Sequence, residues 1–397
     1  MDFLLNEVLS VTRHRVRQFV DAHIIPVEDQ VFAEDRAGKR DTLKQLQARA
    51  RADGLWVPHL PPSMGGLGLG PMGMCALFRE MGRSPIGAKV FNCDAPDQGN
   101  MDLLLMAASK AHQEQYLAPL VRAEVTSAFC MTEPAPGAGA DPTNLRTSAT
   151  KVDGGWEITG RKWYSTGARN ASFLVVMART SPDPRTGASM FLVDRNAKGV
   201  QYVRDIPTLG DQVLDHHEGE VAFEGVRVAD DAVLGQIGDG FKLAQVRLVP
   251  ARLTHCMRWL GLAERSLELC KKYITERVSF GKELARHQLI QDMIARNVSG
   301  IHAGNLMTLH AAWMLEQGKP KEAKPYSSMA KTHVARLLCQ VLDDAIQMHG
   351  GLGYSDDVPF GRWYRSARAA RLADGPDEVH IITVARDWLL GRLDVLV

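Results

Sequence analysis

Near the C-terminus, the stretch "LADGPDEVH", Leu372–His380, packs three carboxylates, Asp374, Asp377 and Glu378, around a Gly-Pro turn. Apolar sequence flanks it, in "YRSARAARL" before and "IITVARDWLL" after. A carboxylate held unprotonated in such a setting can serve as a general base. The plainer role is to start the next helix, because Asp377 and Glu378 stand where negative charge favours a first helical turn. Residue types alone leave both roles open.

Three other clusters could carry chemistry. "FCMTEPAPGAGAD", Phe129–Asp141, supplies a hydroxyl, an acid, a proline and then small residues that allow close backbone approach to something flat or anionic. In "GRKWYSTG", Gly160–Gly167, Trp163 and Ser165 lie two apart, and on a strand such residues share a face and can touch one ligand. An ordinary half-buried strand with a core Trp gives the same pattern. "QMHGGLGY", Gln347–Tyr354, closes a helical pattern with glycine at the cap, which capping explains as well as function does. "GLGPMG", Gly68–Gly73, satisfies G-x-G-x-x-G but follows a Pro-rich loop and contains Pro71, so it reads as a structural turn. With no P-loop, HExxH or GxSxG, the sequence offers no motif for metal, phosphoryl-transfer or serine-hydrolase chemistry.

Three regions must position these clusters. Residues 1–125 are helical by spacing, as in "NEVLSVTRHRVRQFVDAHII" and "DTLKQLQARARADGLW", with Pro- and Gly-rich loops between. Residues 126–236 change period to short β-type runs, "ASFLVVMART" and "GEVAFEGVRVADD" among them, as in an antiparallel barrel or sandwich. Residues 237–397 return to long helices, expected over 239–275, 284–317 and 321–349, with two shorter ones around the carboxylate turn. The order is α, β, α without βαβ alternation, an α+β class rather than a doubly wound dinucleotide fold.

Composition narrows the partners. Lys plus Arg number 47 against 46 acids, unlike the basic footprint of a nucleic-acid binder. No apolar run approaches the roughly 18 residues of a membrane helix, and the N-terminus lacks a signal peptide's apolar core. The six cysteines are scattered without a CxxC pair, which argues for reduced thiols in a cytoplasmic protein and against zinc.

Together the clusters resemble the acyl-CoA dehydrogenase family. Its TEP…GAG.D segment is present as Thr132-Glu133-Pro134, Gly137-Ala138-Gly139 and Asp141. Its K-x-W-x-T-N-G strand matches Arg161 to Gly167, and its R-x-x-F-G-x(6)-Q element matches "RVSFGKELARHQ", Arg277–Gln288. Its Q-x-x-G-G-x-G-Y turn is Gln347–Tyr354, and its final Y-E-G-T-x-Q turn is "ADGPDE", Ala373–Glu378. "FNCDAPDQGNM", "RLTHCMRWLGLAERSLE" and "RLADGPDEVH" further resemble a branch whose animal members fuse this domain to a kinase-like one, a fusion not expected here.

The resemblance implies an N-terminal helical domain, a middle β domain and a C-terminal four-helix bundle, binding FAD. It implies that the backbone of Phe129 and Met131 and the Thr132 side chain bond the flavin's pyrimidine end. Trp163 would cover the ring, and Ser165 would approach N5. Arg277, Phe280, His287, Gln288, Gln347, Gly350 and Gly351 would hold the pyrophosphate and adenosine, partly from a neighbouring subunit of a dimer or tetramer, with Pro376 and Glu378 also at the FAD. Ala140, Arg252, Ala373 and Gly375 would stand beside the acyl-CoA. Asp374 takes the place of the family's catalytic Glu, which removes the α-proton while the β-hydrogen leaves as hydride. Burial would raise its pKa toward working pH. Electrons would pass to an electron-transfer flavoprotein, as in fatty-acid β-oxidation.

Several positions depart from the family. Asp374 is one methylene shorter than Glu, so its carboxylate reaches about 1.5 Å less. "VPAR" before and at Arg252 offers no acid for the alternative base position of some relatives. "EPAPGAGAD" is two residues longer than the common "EPGAGSD", with Ala140 in place of a Ser that usually touches FAD. Ala373 replaces the Tyr that commonly precedes the base. Two rivals follow: a flavin oxidase of the same superfamily, such as nitroalkane oxidase with its Asp base, or a non-catalytic flavin or CoA binder.

Overall fold

The computed structural model describes residues 6–184, 186–210 and 214–394; the first five residues of the N-terminal pattern and the last three of the C-terminal region lie outside it. The chain runs from helices through one sheet and back to helices. The first helix, Glu7–Phe19, starts where the Asn6 side chain accepts the Leu9 N–H at 2.9 Å, a side-chain N-cap. The segment expected to be a structural turn, Gly68–Gly73, is loop through Gly70 and then the start of the helix Pro71–Met81, with Pro71 in the first turn, where its missing N–H costs nothing. The Glu316 carboxylate accepts the Met72 N–H at 2.8 Å, so this helix N-terminus already has its anion.

The strands are β1 (Ser127–Cys130), β2 (Ser148–Val152), β3 (Gly155–Thr166), β4 (Phe173–Arg179), β5 (Ala188–Asp194), β6 (Val200–Asp205), β7 (Glu218–Ala229) and β8 (Val233–Leu234). They form one sheet in the order β6-β7-β3-β2-β4-β5-β8, with β1 added beside β4. The sheet is not wholly antiparallel as expected: β1 runs parallel to β4, and β2 touches β4 in parallel at Ser148 and Arg179. Alternation along β4 separates two cores. Phe173, Val175 and Met177 join the core shared with the helices, whereas Leu174, Val176 and Ala178 face a second core within the β region. The sheet is thereby clamped onto the helices by one face.

The long C-terminal helices are Gly240–Glu276, Gln288–Glu316 and Pro320–His349, within a few residues of the spacing-based expectation. Gly82 and Gly261 explain how the first of these meets the N-terminal region. A Cβ on Gly261 would lie 2.0 Å from the Arg79 carbonyl oxygen, and one on Gly82 would lie 2.3 Å from the Arg258 Cα. Only glycine permits that backbone approach, and it fixes the Arg258 turn of the helix against the N-terminal region.

Candidate active site

The carboxylate turn begins after a 3₁₀ turn, Arg368–Arg371, and ends in the helix Asp377–Leu389. Asp374 sits at φ +53°, a left-handed conformation that Asp tolerates better than most L residues. Donors from three helices hold the turn there. Arg252 Nε donates to the Asp374 carbonyl at 3.0 Å, and His380 Nε2 donates to the same oxygen at 3.2 Å. Lys331 Nζ donates to the Gly375 carbonyl at 2.7 Å. Burial, then Arg252 and Lys331, push the His380 ring down to about 4, so near neutral pH it is uncharged. Its Nε2 carries the proton, and Nδ1 accepts from Ser328 Oγ at 3.0 Å.

The Asp374 side chain is one-fifth exposed, and its Oδ2 stands 3.1 Å from His255 Nε2 in a contact not aligned as a hydrogen bond. The expected upward pKa shift is overturned. Burial does push the carboxyl up, but His255, Arg247 and Arg252 outweigh it and hold Asp374 well below the usual carboxylate range. His255 itself is pushed below its ordinary value by burial and by Arg258, against the pull of Asp374. His255 is the largest of the influences that lower Asp374, ahead of Arg247 and Arg252. Arg247 lies over the Phe129 ring, 4.2 Å from its centroid, and donates to Asn100 Oδ1 at 3.1 Å. That contact ties the electrostatic surroundings of Asp374 to the end of β1.

Asp377 and Glu378 open the last helix as expected, but Asp377 does more than favour a helix start. It is buried, and its Oδ2 takes Arg336 Nε at 2.9 Å and Arg371 Nε at 2.8 Å, with Lys331 Nζ 4.0 Å from Oδ1. Glu378, Ala373 and Ala140 are exposed, whereas Gly375 and Pro376 are half-buried.

Phe129, Met131 and Thr132 lie half-buried at the end of β1 and just beyond it. The Met131 carbonyl accepts Lys162 Nζ at 3.0 Å, and the Thr132 carbonyl accepts the Trp163 N–H at 3.0 Å. These bonds bring the "TEP" and "KWYS" segments edge to edge. Glu133 organises the loop that follows, accepting Lys162 Nζ at 2.9 Å and the N–H groups of Arg146 and Thr147 at 2.7 and 2.8 Å. Lys162 and these bonds overcome burial and draw Glu133 down to about 2. The expectation that Trp163 and Ser165 share a strand face fails. The β3–β7 register shifts between Lys162 and Ser165, and Tyr164 has φ +48°. This bulge breaks the two-residue alternation, so Lys162 and Ser165 are both fully buried while Trp163 is half-buried. Trp163 Nε1 and Ser165 Oγ are buried without a protein partner, polar atoms that a bound polar ring could satisfy.

The remaining predicted cofactor residues occupy exposed ends. Arg277 and Phe280 lie at a two-stranded hairpin, Val278–Ser279 with Lys282–Glu283, and Phe280 is 96% exposed at φ +49°. His287 Nε2 donates to the Ser279 carbonyl at 3.1 Å, and Gln288 begins a helix. Gln347 and Gly350 close the Pro320–His349 helix, where Gly350 has φ +59° and space is open before it and Gly351. Among the described residues none of these hydrogen-bonds to the Phe129–Ser165 group, nor does any group of His, Cys, Asp and Glu form a metal site.

Sequence models of three domains match in order: the acyl-CoA dehydrogenase N-terminal domain over 7–124, the middle domain over 128–226 and the C-terminal domain over 238–389. Mycobacterium tuberculosis FadE2, named as an acyl-CoA dehydrogenase, is 38% identical over 97% of this chain and 96% of its own length. The chain belongs to the acyl-CoA dehydrogenase family. Mouse acyl-CoA dehydrogenase family member 11 is 36% identical over 94% of the chain, which spans about half (49%) of that protein. A solved Mycobacterium abscessus structure of the same family name matches at TM-score 0.93 with 38% identity, covering 98% of this chain and all of that one. Butyryl-CoA dehydrogenase from Megasphaera elsdenii matches at 0.85 with 26% identity over 98% of this chain and all of that one. The fold is that of the family, and the chain is an oxidoreductase of it.

Residue-by-residue reading missed His255, Arg258 and Asp94. The signal was present, because the three segments that resemble one branch of the family hold them: Asp94 in the first, His255 and Arg258 in the second, and Asp374 in the third. Their convergence in space needed the fold.

Proposed function

We propose that this chain is an FAD-dependent acyl-CoA dehydrogenase that converts an acyl-CoA thioester to its trans-2-enoyl-CoA, with Asp374 as the base. The observation that carries this reading is the Asp374 turn itself, pinned through its carbonyls by Arg252, His380 and Lys331 with its carboxylate kept ionised. A base must be unprotonated when substrate arrives, and the charges around Asp374 favour that form. FAD, when bound, would supply the acceptor for the β-hydrogen, with an electron-transfer flavoprotein as the onward electron acceptor.

Asp374 takes the α-proton: the C–H bond breaks, an O–H bond forms on the carboxylate, and negative charge moves onto the thioester. The low basicity of Asp374 is partly offset, because Arg247 and Arg252 face the charge before and after transfer. Phe129, Met131, Thr132, Trp163 and Ser165 would hold the flavin, a fit supported by the unpaired Trp163 Nε1 and Ser165 Oγ. Arg277, Phe280, His287, Gln288, Gln347, Gly350, Gly351, Pro376 and Glu378 would hold its phosphates and adenosine, and Ala140, Arg252, Ala373 and Gly375 would stand at the acyl-CoA. The exposure of Phe280 (96%), Leu289 (79%) and Tyr354 (89%) favours a homodimer or tetramer in which these cover a neighbour. We place the domain boundaries at 1–125, 126–236 and 237–397. No helix among the described residues is long and apolar enough to cross a membrane, and the free cysteines suit a cytoplasmic enzyme.

Anaerobic titration of the purified protein with a panel of acyl-CoA thioesters tests the reading. Bleaching of the flavin band by one acyl class supports it, and no bleaching by any leaves a non-catalytic binder. Rapid reoxidation in air without an electron-transfer flavoprotein would make the protein an oxidase.

A further inference from the structure

His255 is one turn beyond Arg252 on the Gly240–Glu276 helix and is held on two sides. Its ring stacks on Trp259, with centroids 5.5 Å apart and planes 19° apart. Its Nδ1 meets Arg258 Nη2 at 2.5 Å. A guanidinium only donates, so Nδ1 is the acceptor, and the proton of the neutral ring sits on Nε2, facing Asp374 Oδ2 at 3.1 Å. Arg258 is fixed in turn by the Asp94 carboxylate, and the other Asp94 oxygen is 2.6 Å from His216 Nε2. Asp94 is buried; that burial raises it, but His216, Arg258 and Lys89 outweigh burial and hold it ionised. A row of contacts therefore runs from the Asp94 loop through Arg258 and His255 to Asp374.

We propose that His255 is a positioning residue for Asp374: locked by Arg258 and Trp259 as the Nε2–H tautomer, it donates to Oδ2 and leaves Oδ1 as the oxygen that takes the substrate's α-proton. This rests on Asp374 being the base. The donor restrains rotation of a short side chain, so that one oxygen points at the substrate, and it stabilises the ionised form. The present 3.1 Å contact is off-line, and catalytic hydrogen bonds commonly align only when substrate fills the site. The other charged or titratable groups facing the pair are Arg247, Arg252 and the Cys256 thiol on the same helix, Lys331 on Pro320–His349 and His380 on Asp377–Leu389. Lys331 and His380 hold backbone carbonyls of the turn, and Arg252 does so through Nε. Among the described residues, His255 is the side chain within ion-pair distance of the carboxylate.

The test compares His255→Phe, which keeps the stacking but removes the donor, with His255→Gln, which restores an N–H. Flavin reduction by acyl-CoA is followed by rapid mixing across pH in the holoenzyme. His255→Phe should slow the reduction step about tenfold with little change in acyl-CoA affinity, and should raise the pH of its acid-side fall by about one unit. His255→Gln should recover the rate to within about threefold. In an Asp374→Asn background, His255→Phe should cost nothing more, because its effect passes through the carboxylate. Equal slowing in both backgrounds, or an unchanged rate and pH profile, overturns the proposal. A fully active Asp374→Asn enzyme would instead remove the base assignment, whatever His255 does. Should His255→Phe fail to fold, nitrogen chemical shifts of labelled His255 decide: the Nε2–H tautomer supports the proposal and the Nδ1–H tautomer overturns it.

Discussion

Asp374→Asn isolates the chemistry unusually well in this structure. The bonds from Arg252 and His380 go to the Asp374 backbone carbonyl, and that from Lys331 goes to the next one, so all three survive the substitution. Asn is also among the L residues that best tolerate the observed φ of +53°. Its carboxamide oxygen can still face His255. The fold, the FAD content and acyl-CoA binding should therefore stay close to those of the parent protein. The lost property is the ability to accept a proton from carbon, which for a general base is about 10²–10⁴-fold in rate. The charges around Asp374 favour its ionised form at neutral pH, so the proposed base is ready when substrate arrives and the full loss should show. The assay is anaerobic rapid mixing with a bleaching acyl-CoA, reading the flavin band, beside a thermal melt. Reduction within about threefold of the parent rate would mean that another group takes the proton and that this turn is structural.

Asp374→Glu places a longer side chain at a left-handed position, costing about 1–2 kcal/mol of stability, and should change the preferred acyl chain in a steady-state substrate panel. Asp377→Asn should lower stability by about 1.5–3 kcal/mol in denaturant unfolding, since it removes charge-assisted bonds to Arg336 and Arg371 whose partly exposed side chains soften the loss. Although its side chain is two-fifths exposed, the crowded surroundings of the Asp102 carboxyl push it up to about 7, against Arg247 and Gln98. A raised folded-state value means that its stabilising effect is complete below about pH 4 and is lost as pH rises through the folded value, so Asp102→Asn should flatten stability between about pH 4 and pH 8 relative to the parent. Arg277→Ala should weaken FAD binding about tenfold or more and reduce oligomer size together, measured by flavin titration and light scattering.

Period and punctuation in the sequence were enough for the order of helices and strands, because amphipathic spacing is a local property that each segment carries by itself. Pro71 inside a G-x-G-x-x-G pattern likewise sufficed to dismiss a dinucleotide cradle, since proline's fixed backbone and missing donor are local too. The ordered motifs, read as a resemblance, pointed to Asp374 and to the family. What the sequence could not carry was the electrostatic state of that carboxylate. Burial alone argued for a raised pKa, but the sign was decided by His255, Arg247 and Arg252, all distant in the chain and brought in by one helix. The bulge at Tyr164 was equally hidden, because two-residue alternation assumes a regular ladder, and only the pairing of β3 with β7 shows where the ladder slips. Asp377 could be read as a helix start, yet its burial beneath Arg336, Arg371 and Lys331 depends on how two helices pack. Local conformation follows from neighbours in the chain; charge balance follows from neighbours in space, and only the fold supplies those.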